Sequence, residues 1–264
     1  MTNTQSETIR VWETIEVERS SSEAKRRSSD DLALSNDVIQ RYLAPSKETF
    51  YPLEYAYHLL GDVSGKTVLD YGCGAGENSV LIASHGARVI GVDISPELLE
   101  LAERRMELSG LTNFEFKVGS AHELPLEAES VDVVYGMAIL HHLDLELASK
   151  EVFRVLKKGG RAIFFEPVRD SKLAWFVRKL IPYQSPDVSP YERPLTEAEL
   201  RAFSREFSGF QMRAFWLPFV TLTQAIGLSD NLFHYLVKVD GKMLRWLPLL
   251  KKFATIRVFE IQKN

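Results

Sequence analysis

The sequence predicts an α/β protein built on a doubly wound, largely parallel sheet. Three observations carry this expectation. Short apolar runs alternate with helix-length amphipathic stretches between residues 66 and 166, the rhythm of parallel strands joined by right-handed helical crossovers. The stretch Val68-Leu69-Asp70-Tyr71-Gly72-Cys73-Gly74-Ala75-Gly76-Glu77-Asn78-Ser79 passes from an apolar strand through a glycine turn into a helix. Such a unit opens a doubly wound sheet, which binds ligands at the carboxyl ends of its strands. Finally, the next apolar run delivers Asp93 at its end, 21 residues beyond Gly72, where a carboxylate can accept both hydroxyls of a ribose.

Taken in order, residues 1–30 are polar, with serines around Lys25-Arg26-Arg27, and are expected to stay mobile unless they close over a site. Asp30–Ala44 carries Leu32, Leu34, Val38, Ile39, Tyr42 and Leu43 at helical intervals, and Pro45 stops it. Phe50–Leu60 is a second apolar helix, ended by Gly61. Strand one is Lys66–Tyr71, followed by a helix over Gly76–His85. Strand two is Arg88–Val92. Ser95-Pro96-Glu97 then supplies an N-cap, a proline at the first helical position and an acid in the first turn. That helix runs to about Ser109. Phe114–Val118 is strand three and Val131–Gly136 strand four. A helix follows over about Leu145–Leu156, then a Lys157-Lys158-Gly159-Gly160 turn and strand five, Arg161–Glu166. Leu173–Leu180 has the pattern of a helix, and four prolines make the rest of residues 182–194 irregular. Thr196 and Glu199 have capping-box spacing. Phe210–Leu217 and Ala254–Gln262 are strands six and seven. Between them lie Pro218–Phe253, rich in aromatic and aliphatic side chains, which Gly227, Gly241 and Pro248 divide into short helices.

Composition narrows the function. The chain has 264 residues, 45% of them hydrophobic and 26% charged, enough for one large α/β domain with additions. Its net charge of −4 gives no global attraction to nucleic acid. A single cysteine, Cys73, excludes an internal disulfide and any multi-cysteine metal site. With no apolar run of 18 residues and no leader-like N-terminus, the expectation is a soluble, cytoplasmic protein. Charge is uneven: the first 204 residues hold 23 Lys and Arg against 32 acids, and the last 60 hold nine against four.

The glycine spacing bears on the ligand. A dinucleotide turn reads G-x-G-x-x-G, with the pyrophosphate at the helix start. Here the run is G-C-G-A-G, and no lysine follows where a phosphate-cradling loop needs one. The turn suits a nucleoside without a phosphate. A nicotinamide-dependent oxidoreductase remains the alternative from another enzyme class, and this spacing argues against it.

DYGCGAGENS resembles the first motif of class I S-adenosylmethionine (SAM)-dependent methyltransferases: an aliphatic residue, Leu, Asp, an apolar residue, then G-C-G-x-G. Gly119-Ser120-Ala121-His122-Glu123-Leu124-Pro125-Leu126 resembles that family's G-D-A-x-x-L-P-F stretch beside the adenine, with Ser120 in place of the usual Asp. Val131–Leu143, ending Leu140-His141-His142-Leu143, resembles its fourth-strand motif. Glu166-Pro167 and Arg193-Pro194-Leu195-Thr196 are similar to the small bacterial type 11 subgroup, relatives of the quinone-biosynthesis methyltransferases. The resemblance is strong over residues 60–168 and faint beyond.

The resemblance implies a Rossmann-like seven-stranded sheet whose last strand is antiparallel, with helical cap and lid insertions. Residues 1–60 would form a tail and cap helices, and 61–264 the methyltransferase domain with insertions at about 168–195 and 218–253. It implies SAM as cofactor, S-adenosylhomocysteine as its product, and no metal. The cofactor would lie against Asp70, Tyr71, Gly72, Cys73, Gly74, Asn78, Asp93, Ile94, Ser120, Ala121, His122, Met137 and His142. His141 and His142 are candidate general bases, because imidazole titrates near neutral pH. The acceptor expected is a small apolar molecule offering O, N or C. A fold that binds SAM without methylating is a further alternative. For residues 218–253, three roles compete: core completion, a lid over the acceptor, and docking on a membrane surface. The lid is favoured, because the insertion joins strands six and seven near the expected acceptor position.

Overall fold

A computed structural model describes residues 3–26, 32–169, 193–225 and 229–264. The elements run α1 (Asn3–Arg26), α2 (Asn36–Leu43), α3 (Pro52–Leu60), β1 (Thr67–Tyr71), α4 (Glu77–Ser84), β2 (Arg88–Asp93), α5 (Pro96–Leu108), β3 (Phe114–Val118) and β4 (Val131–Met137). A 3₁₀ turn (Leu140–His142) leads to α6 (Leu145–Val155) and β5 (Leu156–Pro167). Then come α7 (Glu197–Phe203), β6 (Gly209–Phe215), α8 (Pro218–Ala225), α9 (Asp230–Trp246), a second 3₁₀ turn (Pro248–Phe253) and β7 (Ile256–Gln262). The helix expected at 173–180 lies outside the described residues.

The seven strands are ordered β3-β2-β1-β4-β5-β7-β6. Strands β1 to β5 are parallel, and β7 runs antiparallel between β5 and β6. The sheet is the doubly wound one the sequence predicts, with its last strand reversed. Its order switches direction between β1 and β4, and ligands of such sheets bind outside the strand ends at that point. Successive residues of β4 and β5 serve opposite cores. Val134, Ala162 and Phe164 pack with α6 and α7 through Val152, Leu200 and Phe203. Val133, Tyr135 and Ile163 pack with α3 and α4 through Tyr57, Leu60 and Ile82. Two covered faces explain why the strands read as unbroken apolar runs.

Two cap signals held: Ser95 accepts a backbone N–H at the start of α5, and Thr196 and Glu199 form the reciprocal capping box. Ser35 and Asp144 cap α2 and α6 in the same way. Arg161 donates to the Leu59 and Leu60 carbonyls at 2.6 Å, satisfying the end of α3 and pinning it to β5.

Residues 3–26 form a long helix. Two expectations are corrected. Lys157–Gly160 is a bulge inside β5 rather than a turn before it. Val131 pairs with Leu156 and Val133 already with Arg161, and Gly159 takes φ +74° to absorb the extra residues. Gly241 does not break the insertion; α9 runs through it. A Cβ there would lie 1.9 Å from the Phe50 ring, so glycine serves a close approach of helix to ring.

Candidate cofactor and catalytic site

The glycine turn sits at the carboxyl end of β1. Gly72, Gly74 and Gly76 all take positive φ, +71°, +52° and +79°, a region costly for any residue with a Cβ. Their surroundings differ. A Cβ on Gly72 would strike Ile139 at 2.6 Å, and one on Gly76 would strike Ala102 at 2.8 Å. On Gly74 it would meet nothing within 4 Å. Gly72 and Gly76 therefore close the turn against its neighbours, while Gly74 opens it to a cavity.

That cavity has a volume of about 170 Å3. Its wall includes Gly72, Gly74, Asp93, Ile94, Ser120, Ala121, His122 and His142. These eight come from the ends of β1, β2, β3 and β4. Asp93 Oδ2 accepts the Gly74 N–H at 2.9 Å and Oδ1 accepts that of Ser95 at 3.0 Å. Burial raises the Asp93 pKa, opposed by these backbone donors and by Arg19. Two backbone bonds leave this carboxylate with acceptor capacity toward the cavity.

The other expected residues lie behind the wall. Asp70 is buried beneath the turn and accepts the Ser79 hydroxyl at 2.6 Å; burial pushes its carboxyl up to about 7. Tyr71 donates its hydroxyl to the Ala121 carbonyl at 2.6 Å. The Cys73 thiol is buried, and burial pushes its pKa up. Asn78 accepts the Tyr57 hydroxyl at 2.9 Å and places its amide 3.7 Å from the Met137 sulfur. None of Asp70, Tyr71, Cys73, Asn78, Met137 and His141 contributes to the cavity wall.

The roof is α1, so the N-terminal segment takes the second of its two expected courses and closes over the site. Trp12, Glu13, Glu16, Arg19, Ser20 and Glu23 line the cavity from above. Ile9, Ser20 and Ala24 are buried, and Ala24 packs with Ala75 and Leu98. The inward stripe mixes Glu13, Glu16 and Ser20 with these small apolar residues. No apolar periodicity marks it, so only the polar composition was legible.

Two of these acids meet the expected histidines. Glu13 accepts from the Ser120 hydroxyl and lies 3.2 Å from His122 Nδ1. The Asp144 N–H donates to His122 Nε2 at 3.0 Å, so the ring proton sits on Nδ1 and points at Glu13. The hydrogen bond from His122 is the main cause holding the Glu13 carboxyl below its usual value, against burial. His122 is 7% exposed and joins roof to floor. Glu16 lies 3.3 Å from His142 Nδ1, without the alignment of a hydrogen bond. Burial pushes the Glu16 carboxyl up, but His142 and Arg19 outweigh it and bring it down to about 2.

The histidines divide. His142 stands on the cavity wall; His141 is behind it, their rings 4.1 Å apart. Glu166, fully buried at the end of β5, lies 2.9 Å from His141 Nδ1 and accepts the Ile139 and Leu140 N–H groups at 2.9 and 2.8 Å. One carboxylate thus fixes the turn that carries both rings. Ala138, just before it, has φ +54°, a strained conformation of the kind that surrounding structure maintains at functional sites.

A glycine turn opening onto a cavity at the sheet's switch point, with a strand-end carboxylate beside it, defines a nucleoside-binding α/β protein. Residues 69–164 match the type 11 methyltransferase domain. A ubiquinone biosynthesis O-methyltransferase of Pseudomonas fluorescens is 32% identical over 190 residues, 68% of this chain and 75% of that protein. A demethylmenaquinone methyltransferase of Lactococcus lactis is 32% identical over 134 residues, 47% of this chain. The chain spans about half the length of that relative, 53%. Among solved structures, YcgJ of Bacillus subtilis shares the fold with a TM-score of 0.55 at 21% identity, over 76% of this chain and 93% of that one. The chain belongs to the class I SAM-dependent methyltransferases, in their type 11 group.

Proposed function

We propose that this protein methylates a small apolar molecule using SAM, in the cavity between the glycine turn and α1. The observation that carries the reading is the open space over Gly74, with Asp93 and His142 on the same wall. The residues fit the cofactor. Gly74 leaves room where any side chain would intrude, Asp93 has lone pairs for ribose hydroxyls, and Ser120, Ala121 and His122 form the wall for a base. When bound, SAM supplies an electrophilic methyl group on a positively charged sulfur.

The rest falls to the chain's own groups. His142 takes the proton from an acceptor hydroxyl or amine as it becomes nucleophilic. The Glu16 carboxylate beside its Nδ1 stabilises the resulting imidazolium. Glu166 keeps the turn in place. Trp12, Ile139 and Leu143 give the cavity apolar surface, and α1 above it excludes water. Holding donor and acceptor in line supplies much of the rate. The names of the two relatives suggest quinol-like aromatic acceptors. Calorimetry with SAM and with NADH, then release of S-adenosylhomocysteine with hydroxylated aromatic acceptors, tests the reading. Binding without turnover across such acceptors would favour a SAM-binding module instead.

A further inference from the structure

We infer that the insertion between β6 and β7 docks the protein on an anionic phospholipid surface. Nine large apolar side chains are exposed among the described residues, and five of them fall between residues 232 and 249. Trp246 is 78% exposed, Leu249 82%, Tyr235 63% and Leu247 54%. Single exposed apolar residues are ordinary, but a cluster of this kind marks an interaction surface. Trp246, Leu247, Pro248 and Leu249 form an apex where α9 ends and the second 3₁₀ turn begins.

Charge identifies the partner. Lys238, Lys242, Arg245, Lys251 and Lys252 surround the apex and are all exposed. The segment has two acids: Asp230 at the far end of α9, and Asp240, which is buried and accepts the Leu217 N–H at 2.8 Å. Tyr235, Lys238, Lys242 and Trp246 recur at intervals of three and four, so they follow one stripe of α9. A tryptophan with exposed leucines suits the headgroup and acyl boundary, and lysines around it suit anionic headgroups. The first 204 residues are net acidic, so the attraction is local and orients the molecule. No helix among the described residues is long and apolar enough to cross a membrane; this is a surface contact. None of the apex residues lines the cofactor cavity. Both ends of the insertion nevertheless join the sheet at the carboxyl end of β5, where Phe215 pairs with Ile256 and Ile256 with Pro167. Docking would therefore present the cavity edge of the sheet toward the bilayer.

The test is flotation of the 264-residue chain with vesicles of phosphatidylcholine mixed with phosphatidylglycerol, and with phosphatidylcholine alone. The expected result is binding to the mixed vesicles that weakens with salt. Trp246→Ala with Leu249→Ala should reduce partitioning ~10-fold, and so should Lys242→Glu with Lys252→Glu. SAM affinity should not change in either variant, so failure here is separable from failure of the methyltransferase reading. A blue shift of fluorescence on vesicles, lost in Trp246→Phe, reports the same contact in a nearly unaltered protein. Undiminished binding by both double variants, equal binding to neutral vesicles, or no binding at low salt overturns the inference. So does burial of Trp246 in a dimer formed without lipid, because the apex would then belong to a second copy of this chain.

Discussion

Two segments outside the sheet core differ in what they cover. Residues 3–26 are polar and read as mobile unless they close over a site, and they form the roof of the candidate cofactor cavity through Trp12, Glu13, Glu16 and Arg19. Residues 218–253 are apolar and read as a lid, yet none of their described residues touches that cavity, and their outer surface carries Trp246 and Leu249. The difference lies in what each segment faces. A roof over a polar cofactor site can be made of carboxylates paired with His122 and His142, and such pairing leaves no hydrophobic pattern. An apolar pattern shows only that a segment seeks something other than water, which a core, a substrate or a bilayer can each supply.

The largest expected effect separates cavity from scaffold within one turn. Gly74→Val should weaken SAM binding roughly 100-fold or more while the protein stays folded, because its Cβ enters open space. Gly76→Val should instead fail mainly in stability, since it meets Ala102 at 2.8 Å. Thermal unfolding beside calorimetry distinguishes the two. Equal SAM affinity in Gly74→Val and the parent would place the cofactor elsewhere.

Turnover comes next. His142→Ala should lower turnover ~100-fold with SAM affinity retained, whereas His141→Ala, lying behind the wall, should cost less. If neither lowers turnover, the acceptor needs no base. Asp93→Ala should weaken SAM and S-adenosylhomocysteine ~10- to 100-fold, about 1.4–2.7 kcal/mol. The Gly74 and Ser95 N–H groups also lose the carboxylate that accepts them, so a drop in melting temperature should accompany it.

A smaller effect concerns pH. Asp70 has a folded-state pKa of about 7, above its unfolded value, so the folded state is penalised as the carboxyl ionises. Stability should fall as pH rises from the ordinary carboxylate range toward ~7 and then level off. Urea unfolding at ~pH 5 and ~pH 8 should show that loss in the parent and less of it in Asp70→Asn. A parent that is more stable at the higher pH would contradict it.

The alternation of strands and helices, the glycine turn and Asp93 were legible because each rests on local spacing: a turn fixes its glycines, and a strand end fixes its acid. What holds His141 behind the wall was not legible, because Glu166 reaches it from 25 residues away. Nor was the helix through Gly241, which depends on Phe50 approaching from another element. The residues that make the N-terminal roof were hidden for the same reason: Glu13 and Glu16 look like solvent-facing acids until Ser120, His122 and His142 are brought opposite them.

Hydrogen exchange with and without SAM compares the two segments directly. If α1 roofs the cofactor, its amides over residues 9–24 should gain protection on SAM binding while those over 230–253 stay unchanged. Protection gained by 230–253 with α1 unaffected would show that the roof has been assigned to the wrong segment.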